Sequence, residues 1–228
     1  MSGKSKLSLI FVIAVLAYIS AAHISQAKTN NGKLSKIIIQ SLENYHYSGK
    51  LLNANFSEKG LDEFIKILDF DRSFFLDSDI KNLKQKSSLL KDELEAGSME
   101  LMKLAFQLKN QRIDQVMTFY PTLLKGKLDF TKDESFETES DKRGYFKDLD
   151  QLKEYWRKRL KYRTITRYIA LRKSNDKKKK GKRPDMELRE KAKDEVLKST
   201  KRILEQIKKA GSENSFSRYL NSILSVFD

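Results

Sequence analysis

The chain has 228 residues, with 46 Lys and Arg against 31 Asp and Glu, a formal net charge of +15 and no cysteine. Without thiols there is no disulfide and no thiolate metal site, and two histidines, His23 and His46, are too few for a zinc centre with the usual ligands. No cofactor is expected, and a positive excess of this size would suggest nucleic acid only in a protein kept inside the cell.

Residues 1–27 read as an export signal. Lys4 and Lys6 give a basic start, Leu7 to Ala22 is an apolar run, and Ser25-Gln26-Ala27 offers a small-residue cleavage site before Lys28. The apolar run is short for a spanning helix, which needs about 20 residues; an uncleaved anchor is the alternative. No Cys follows the site for lipid attachment. The leader holds two Lys and no acid, so residues 28–228 carry +13. The expected address is the periplasm, which argues against nucleic acid as a partner.

Nearly all of 28–228 reads as helix, giving an all-α, irregular multi-helix domain. Leu34, Ile37, Ile38, Leu42 and Tyr45 form one apolar stripe at helical spacing. Ser57 is placed to cap a second helix whose inner face is Leu61, Phe64, Ile65 and Leu68. Next comes Leu68 to Ile80, where apolar pairs are framed by Asp69, Asp71, Asp77 and Asp79, a tight helix-to-helix corner. Asp77 or Ser78 is expected to cap the helix after it, with Ile80, Leu83, Leu90 and Leu94 as its core residues. A longer helix spans about Met99 to Tyr120, with Met102, Ala105, Phe106, Ile113, Val116, Met117 and Tyr120 inward, and Pro121 ends it.

Residues 128–146 are polar but carry Phe130, Phe136, Tyr145 and Phe146, and so read as an ordered excursion pinned by its aromatics. Helical spacing resumes at Leu149, Leu152, Trp156, Leu160 and Arg163, with a second stripe at Tyr155, Tyr162, Thr166 and Ile169 that predicts packing on two sides. Trp156 reads as a core anchor, with a partner surface as the alternative. Arg172 to Arg183 holds eight basic residues against one Asp, interrupted by Gly181 and followed by Pro184. Residues 172–184 are therefore expected to be a solvated basic loop, or a weak contact for an acidic partner or an anionic membrane surface. Leu188, Ala192, Val196, Ile203 and Ile207 mark another helix, ended by Gly211 in a left-handed cap. Ser212 starts the last helix, with Phe216, Tyr219, Leu220, Ile223 and Phe227 inward.

Four stretches, in order, resemble the N-terminal domain of the tail-specific (carboxy-terminal processing) proteases. They are Leu42-Glu43-Asn44-Tyr45-His46-Tyr47-Ser48, the corner from Leu68 to Ile80, the run from Leu128-Asp129-Phe130-Thr131-Lys132-Asp133-Glu134 to Tyr155-Trp156-Arg157-Lys158-Arg159-Leu160, and Ser212-Glu213-Asn214-Ser215-Phe216 with Tyr219-Leu220-Asn221. In that family, the resemblance implies, the helical domain is followed by a PDZ domain that holds the substrate's C-terminus. A core with a Ser nucleophile and a Lys base comes after it, entered through an Asp-Pro-His-Thr turn. This sequence stops at Phe227-Asp228, so the expectation is a truncated protease: a non-catalytic periplasmic scaffold of 28–228 whose partners are proteins. The alternative is a stand-alone periplasmic binding module for a protein partner or the envelope surface. A fragment should expose Phe216, Leu220, Ile223 and Phe227.

The residues offer no rival site. Ser78-x-x-Lys81 and Ser88-x-x-Lys91 match the spacing of a Ser–Lys dyad, but neither lies in a strained turn with glycine neighbours that could build an oxyanion hole. The four aspartates lack the glycine and closing Glu of an EF-hand. Capping and an ion pair to Arg72 account for them. His46, between two tyrosines, reads as a packed histidine. No catalytic, cofactor or metal residue is assigned.

Overall fold

A computed structural model describes residues 31–44, 54–126, 128–177, 181, 183–213 and 215–226. The leader, Tyr45-His46-Tyr47, Lys178 to Lys180, Lys182, Asn214, Phe227 and Asp228 lie outside the described residues. Eight helices and no strand occur among the described residues: α1 (31–44), α2 (Ala54–Leu68), α3 (Asp77–Lys84), α4 (Leu89–Ala96), α5 (Glu100–Lys125), α6 (Leu149–Asp176), α7 (Asp185–Glu213) and α8 (Ser215–Leu224). The expected all-α architecture is the one formed.

Two cores share α5. In the first, α2 buries Leu61, Phe64, Ile65 and Leu68 as its spacing predicts, against α4, the start of α5, and α8. Phe64 stands edge-on to Tyr219 at 4.9 Å and to Phe106 at 5.8 Å. Each fully buried aromatic of this kind contributes about 2–3 kcal/mol. The second core joins Ile113, Val116, Tyr120 and Leu124 of α5 to Leu152, Trp156 and Leu160 of α6 and Val196 and Leu204 of α7. Helices α6 and α7 run antiparallel. Arg163 reaches Thr200, Arg167 reaches Glu195, and Asn175 meets Arg183, so the register closes toward the connecting loop.

Several expected boundaries move, each because packing outweighs local punctuation. Helix α2 starts at Ala54, so Ser57 is a buried residue of its first turn and not its cap. The third helix divides into α3 and α4 at Gln85–Ser88, where the backbone tightens to i→i−3 bonds; Leu83 and Leu90 stay fully buried on either side. Pro121 sits inside α5, which continues to Lys125 because Leu124 is drawn into the second core. Gly211 is helical within α7, not left-handed. The left-handed glycine cap is Gly97, at φ +73, ending α4. A side chain there would also run into the carbonyl oxygen of Gly32, 2.6 Å from an ideal Cβ.

Faces rotate too. Helix α1 buries Ser35 and Ile39, leaving Leu34 and Ile37 exposed. Helix α7 buries Thr200 and Leu204, and Ile203 is exposed. In the second stripe of α6, Tyr155 is buried and Tyr162 is half exposed with its ring against Phe136, but Thr166 and Ile169 face outward and are not packed as expected. Leu220 and Ile223 of α8 are both buried, Ile223 in the core it shares with α2, so the face expected to stand open in a fragment is closed at both positions. The basic segment is helical to Asp176, which shortens the loop read at 172–184. Asn175 shuts it by exchanging hydrogen bonds with the Arg183 backbone, at 2.8 and 3.1 Å.

Candidate functional site

The corner after α2 is built around Asp69. Its carboxylate is buried and accepts the backbone N–H of Ser73 at 2.8 Å, Phe74 at 3.0 Å and Phe75 at 2.9 Å. Those three bonds turn the chain and allow Phe74 and Phe75 to enter different cores. Arg72 adopts a left-handed φ of 46° within the turn, its N–H bonded to the Asp69 carbonyl. Its guanidinium donates to the Arg143 carbonyl at 2.8 Å and faces Asp141, so Arg72 does not pair with the corner aspartates as expected.

The capping role falls to Asp79 and not to Asp77 or Ser78. Asp79, at the third position of α3, accepts the Leu76 N–H at 2.8 Å and holds Arg112 of α5 with both oxygens at 2.8 Å. Asp77 pairs with Lys81 instead. Asp71 faces Arg159 at 3.4 Å.

Helix α6 clamps the same turn. The Trp156 indole N–H donates to the Ser73 carbonyl at 2.9 Å, and Arg159 donates to Ser73 Oγ at 2.7 Å and to the Tyr155 hydroxyl at 2.8 Å. Trp156 is thus a buried anchor. The excursion completes the frame. Phe146 is buried, its carbonyl accepts the Asp77 N–H at 2.7 Å, and Arg143 lies 4.2 Å over the Tyr155 ring. Phe136 stacks on Tyr162 and packs at a tilt against Tyr155, and Phe130 packs on Tyr168. The aromatic pinning expected of 128–146 is present.

Glu134 ties this excursion to α6 through Arg157 and through Lys161 at 2.7 Å. Arg157 first, then Lys161, hold its carboxyl down at about 2. A depressed carboxyl stabilises the fold above its ordinary value and stops doing so as pH falls through the folded value. Glu134→Gln is therefore expected to lower Tm by several degrees at neutral pH. Its deficit against the parent should shrink between about pH 4.5 and about pH 2. Paired thermal melts across that range check this; a deficit that does not change with pH would show that Glu134 acts by shape alone.

Beside the corner opens a cleft of about 670 Å³, walled by Asp69, Phe70, Asp71, Ser73 and Phe74, by Trp156, Arg159 and Arg163 of α6, and by Ile203 and Ile207 of α7. Lys109 of α5 and Arg218 of α8 also line it. Burial pushes the Lys109 ammonium down, opposed by Asp69 and aided by Arg218. Burial likewise pushes Asp69 up, against its three N–H donors and Lys109. Arg163 is lowered by burial and by Arg159. Lys109 is the residue that motif reading passes over. Its signal is register: it stands four residues after Ala105 and four before Ile113, in the apolar stripe of α5.

The Ser–Lys spacings come to other uses. Ser78 and Ser88 are exposed, Lys81 is paired with Asp77 at 2.6 Å, and Lys91 with Glu95 at 3.5 Å. Among the described residues no cluster of His, Asp and Glu suits a metal ion, and no helix is long and apolar enough to cross a membrane.

Comparison with known proteins agrees with this frame. The family described as "Tail specific protease N-terminal domain" matches residues 38–228. The Tail-specific protease of Haemophilus influenzae is 32% identical over 98 residues, which is 42% of this chain and 14% of that protein. The matched stretch is thus a small part of that relative's length.

Proposed function

Because this chain belongs to the tail-specific protease N-terminal domain family, we propose that it is an exported, non-catalytic helical scaffold that works beside a protease core. The reading rests on how the two Ser–Lys spacings are used. Each lysine is ion-paired with a carboxylate on its own helix. Each ammonium is engaged by that carboxylate, and neither serine lies in a strained, glycine-flanked turn that could build an oxyanion hole. Helix α6 and the 128–146 excursion hold one corner and its cleft in fixed geometry. That suits a domain that shapes the approach of a polypeptide or docks a protein. A leader at 1–27 would carry it to the periplasm, and cell fractionation with an antibody to the chain checks that address.

The purified chain is expected to leave an unfolded substrate with an apolar C-terminus intact, and a fluorophosphonate probe should label neither Ser78 nor Ser88. Cleavage that is lost on changing either serine would overturn the reading.

A second reading, a stand-alone binding module for a protein partner or the envelope surface, is favoured by α8, whose Leu220 and Ile223 are already buried. It predicts cooperative unfolding and little dye binding to apolar surface. Under it the basic loop supplies a contact, and deletion of residues 177–182 without effect on capture of a partner would remove the loop from that role.

A further inference from the structure

The cleft beside the corner combines features with no use inside the fold. Lys109 is only 4% exposed, yet it makes no hydrogen bond and no ion pair among the described residues. Asp69 does act on it electrostatically, but that carboxylate is committed to three backbone N–H groups. Lys109 Nζ is not among the enclosed polar atoms that lack a partner, so this largely buried lysine opens its ammonium to the cleft, where a ligand's carboxylate can meet it. The neighbouring cations repel rather than relieve it. Arg218 presses on Lys109, and Arg159 on Arg163. Arg159 and Arg163 have donors committed to Ser73, Tyr155, Thr200 and Ser199, which fixes their positions.

Around this basic floor the rim is mainly apolar. Phe70 is 70% exposed and Ile203 41% exposed, with Ile67 and Ile207 also in the lining; the exposed polar members are Gln206 and Asp71, whose carboxylate faces Arg159. At about 670 Å³ the space lies within the range of binding pockets, roughly 300–1,000 Å³. We propose that this cleft binds a polypeptide segment in which a carboxylate is flanked by apolar side chains. The carboxylate takes the Lys109 ammonium, supported by Arg218, and the flanking side chains lie on Phe70 and Ile203. The mixed lining favours this over a bare inorganic anion, which would leave the exposed rim uncovered. The inference rests on the cleft's own geometry and holds whichever reading of the whole chain is right.

Trp156, the only tryptophan in the chain, lines the cleft and reports on it directly. The full chain is titrated with end-blocked acetyl-Leu-Glu-Phe-amide, with its Gln counterpart, with the Gln peptide bearing a free C-terminal carboxylate, and with inorganic phosphate. Trp156 emission is expected to shift saturably with the Glu peptide and at least tenfold more weakly with the blocked Gln peptide. The free-terminus arm tells whether a terminal carboxylate serves as well as a side-chain one. Lys109→Met should weaken the Glu peptide at least tenfold while raising Tm by a few degrees. Arg218→Gln, at a residue outside both cores, should weaken it several-fold with Tm unchanged. Equal binding of Glu and blocked Gln peptides, or saturation by phosphate alone, would overturn the assignment. A fall in Tm for Lys109→Met would do so as well, because it would make Lys109 a structural partner of Asp69.

Discussion

Replacing Asp69 by Ala is expected to cost about 4 kcal/mol of folding free energy, because it strands three buried N–H donors at about 1–3 kcal/mol each. The sum is discounted because Ser73 and Phe74 border the cleft, where water can reach their amides, whereas Phe75 is fully buried. Against a usual domain stability of about 5–15 kcal/mol, such a loss brings the fold near its limit. Asp69→Asn should recover part of it: one oxygen can still accept from two amides, but the new NH₂ group faces a third donor. The urea midpoint, followed by helical circular dichroism, measures both variants. Since Trp156 donates to the Ser73 carbonyl, its emission should shift in Asp69→Ala before unfolding begins. A loss under about 1 kcal/mol would mean the turn is held by α6 and the excursion without the carboxylate.

That role for Asp69 could not be singled out from the sequence, and the reason is physical. Four aspartates within eleven positions all suit caps and turns, and only the fold decides which is enclosed. The stripes that meet a neighbour over their whole length were legible: Leu61, Phe64, Ile65 and Leu68 in α2, and Leu152, Trp156 and Leu160 in α6. So was the pinned excursion, because four aromatics in a polar stretch need somewhere to go. Pro121 and Gly211 misled for a shared reason. Each is a local stop signal that packing outweighs: α5 runs past Pro121 to bring Leu124 into the second core, and Gly211 is itself buried, close against Phe106. Ile203 and Leu204 show the finer limit. Both continue an apolar repeat, and a one-residue choice sends Leu204 into the core and Ile203 to the rim of the cleft. Lys109 was hidden by its type, since a lysine in a stripe is ordinarily discounted and not counted as buried.

The pairing of Asp79 with Arg112 is expected to be the other large term. Both side chains are mostly buried, both Asp79 oxygens meet the guanidinium at 2.8 Å, and one of them also caps α3 through Leu76. Asp79→Ala leaves a largely enclosed guanidinium with Gln115 as its remaining partner, and should cost about 3 kcal/mol. Arg112→Met removes the other half, leaving a buried carboxylate with one N–H donor, and should cost a similar amount. The double variant is expected to lose clearly less than the two single losses combined, by more than about 1.5 kcal/mol, because neither charge is then left alone. The coupling should persist at high salt, since enclosed pairs are poorly screened. Additive single losses would show instead that Asp79 serves α3 only as a cap, and that α3 is held to α5 by Ile80 and Leu83 without help from the pair. The distinction bears on the cleft, because the corner between Asp69 and Asp79 is fixed at one end by backbone amides and at the other by this ion pair. Loosening either end should reach Trp156, and loosening the Asp79 end should do so without touching any residue that lines the cleft.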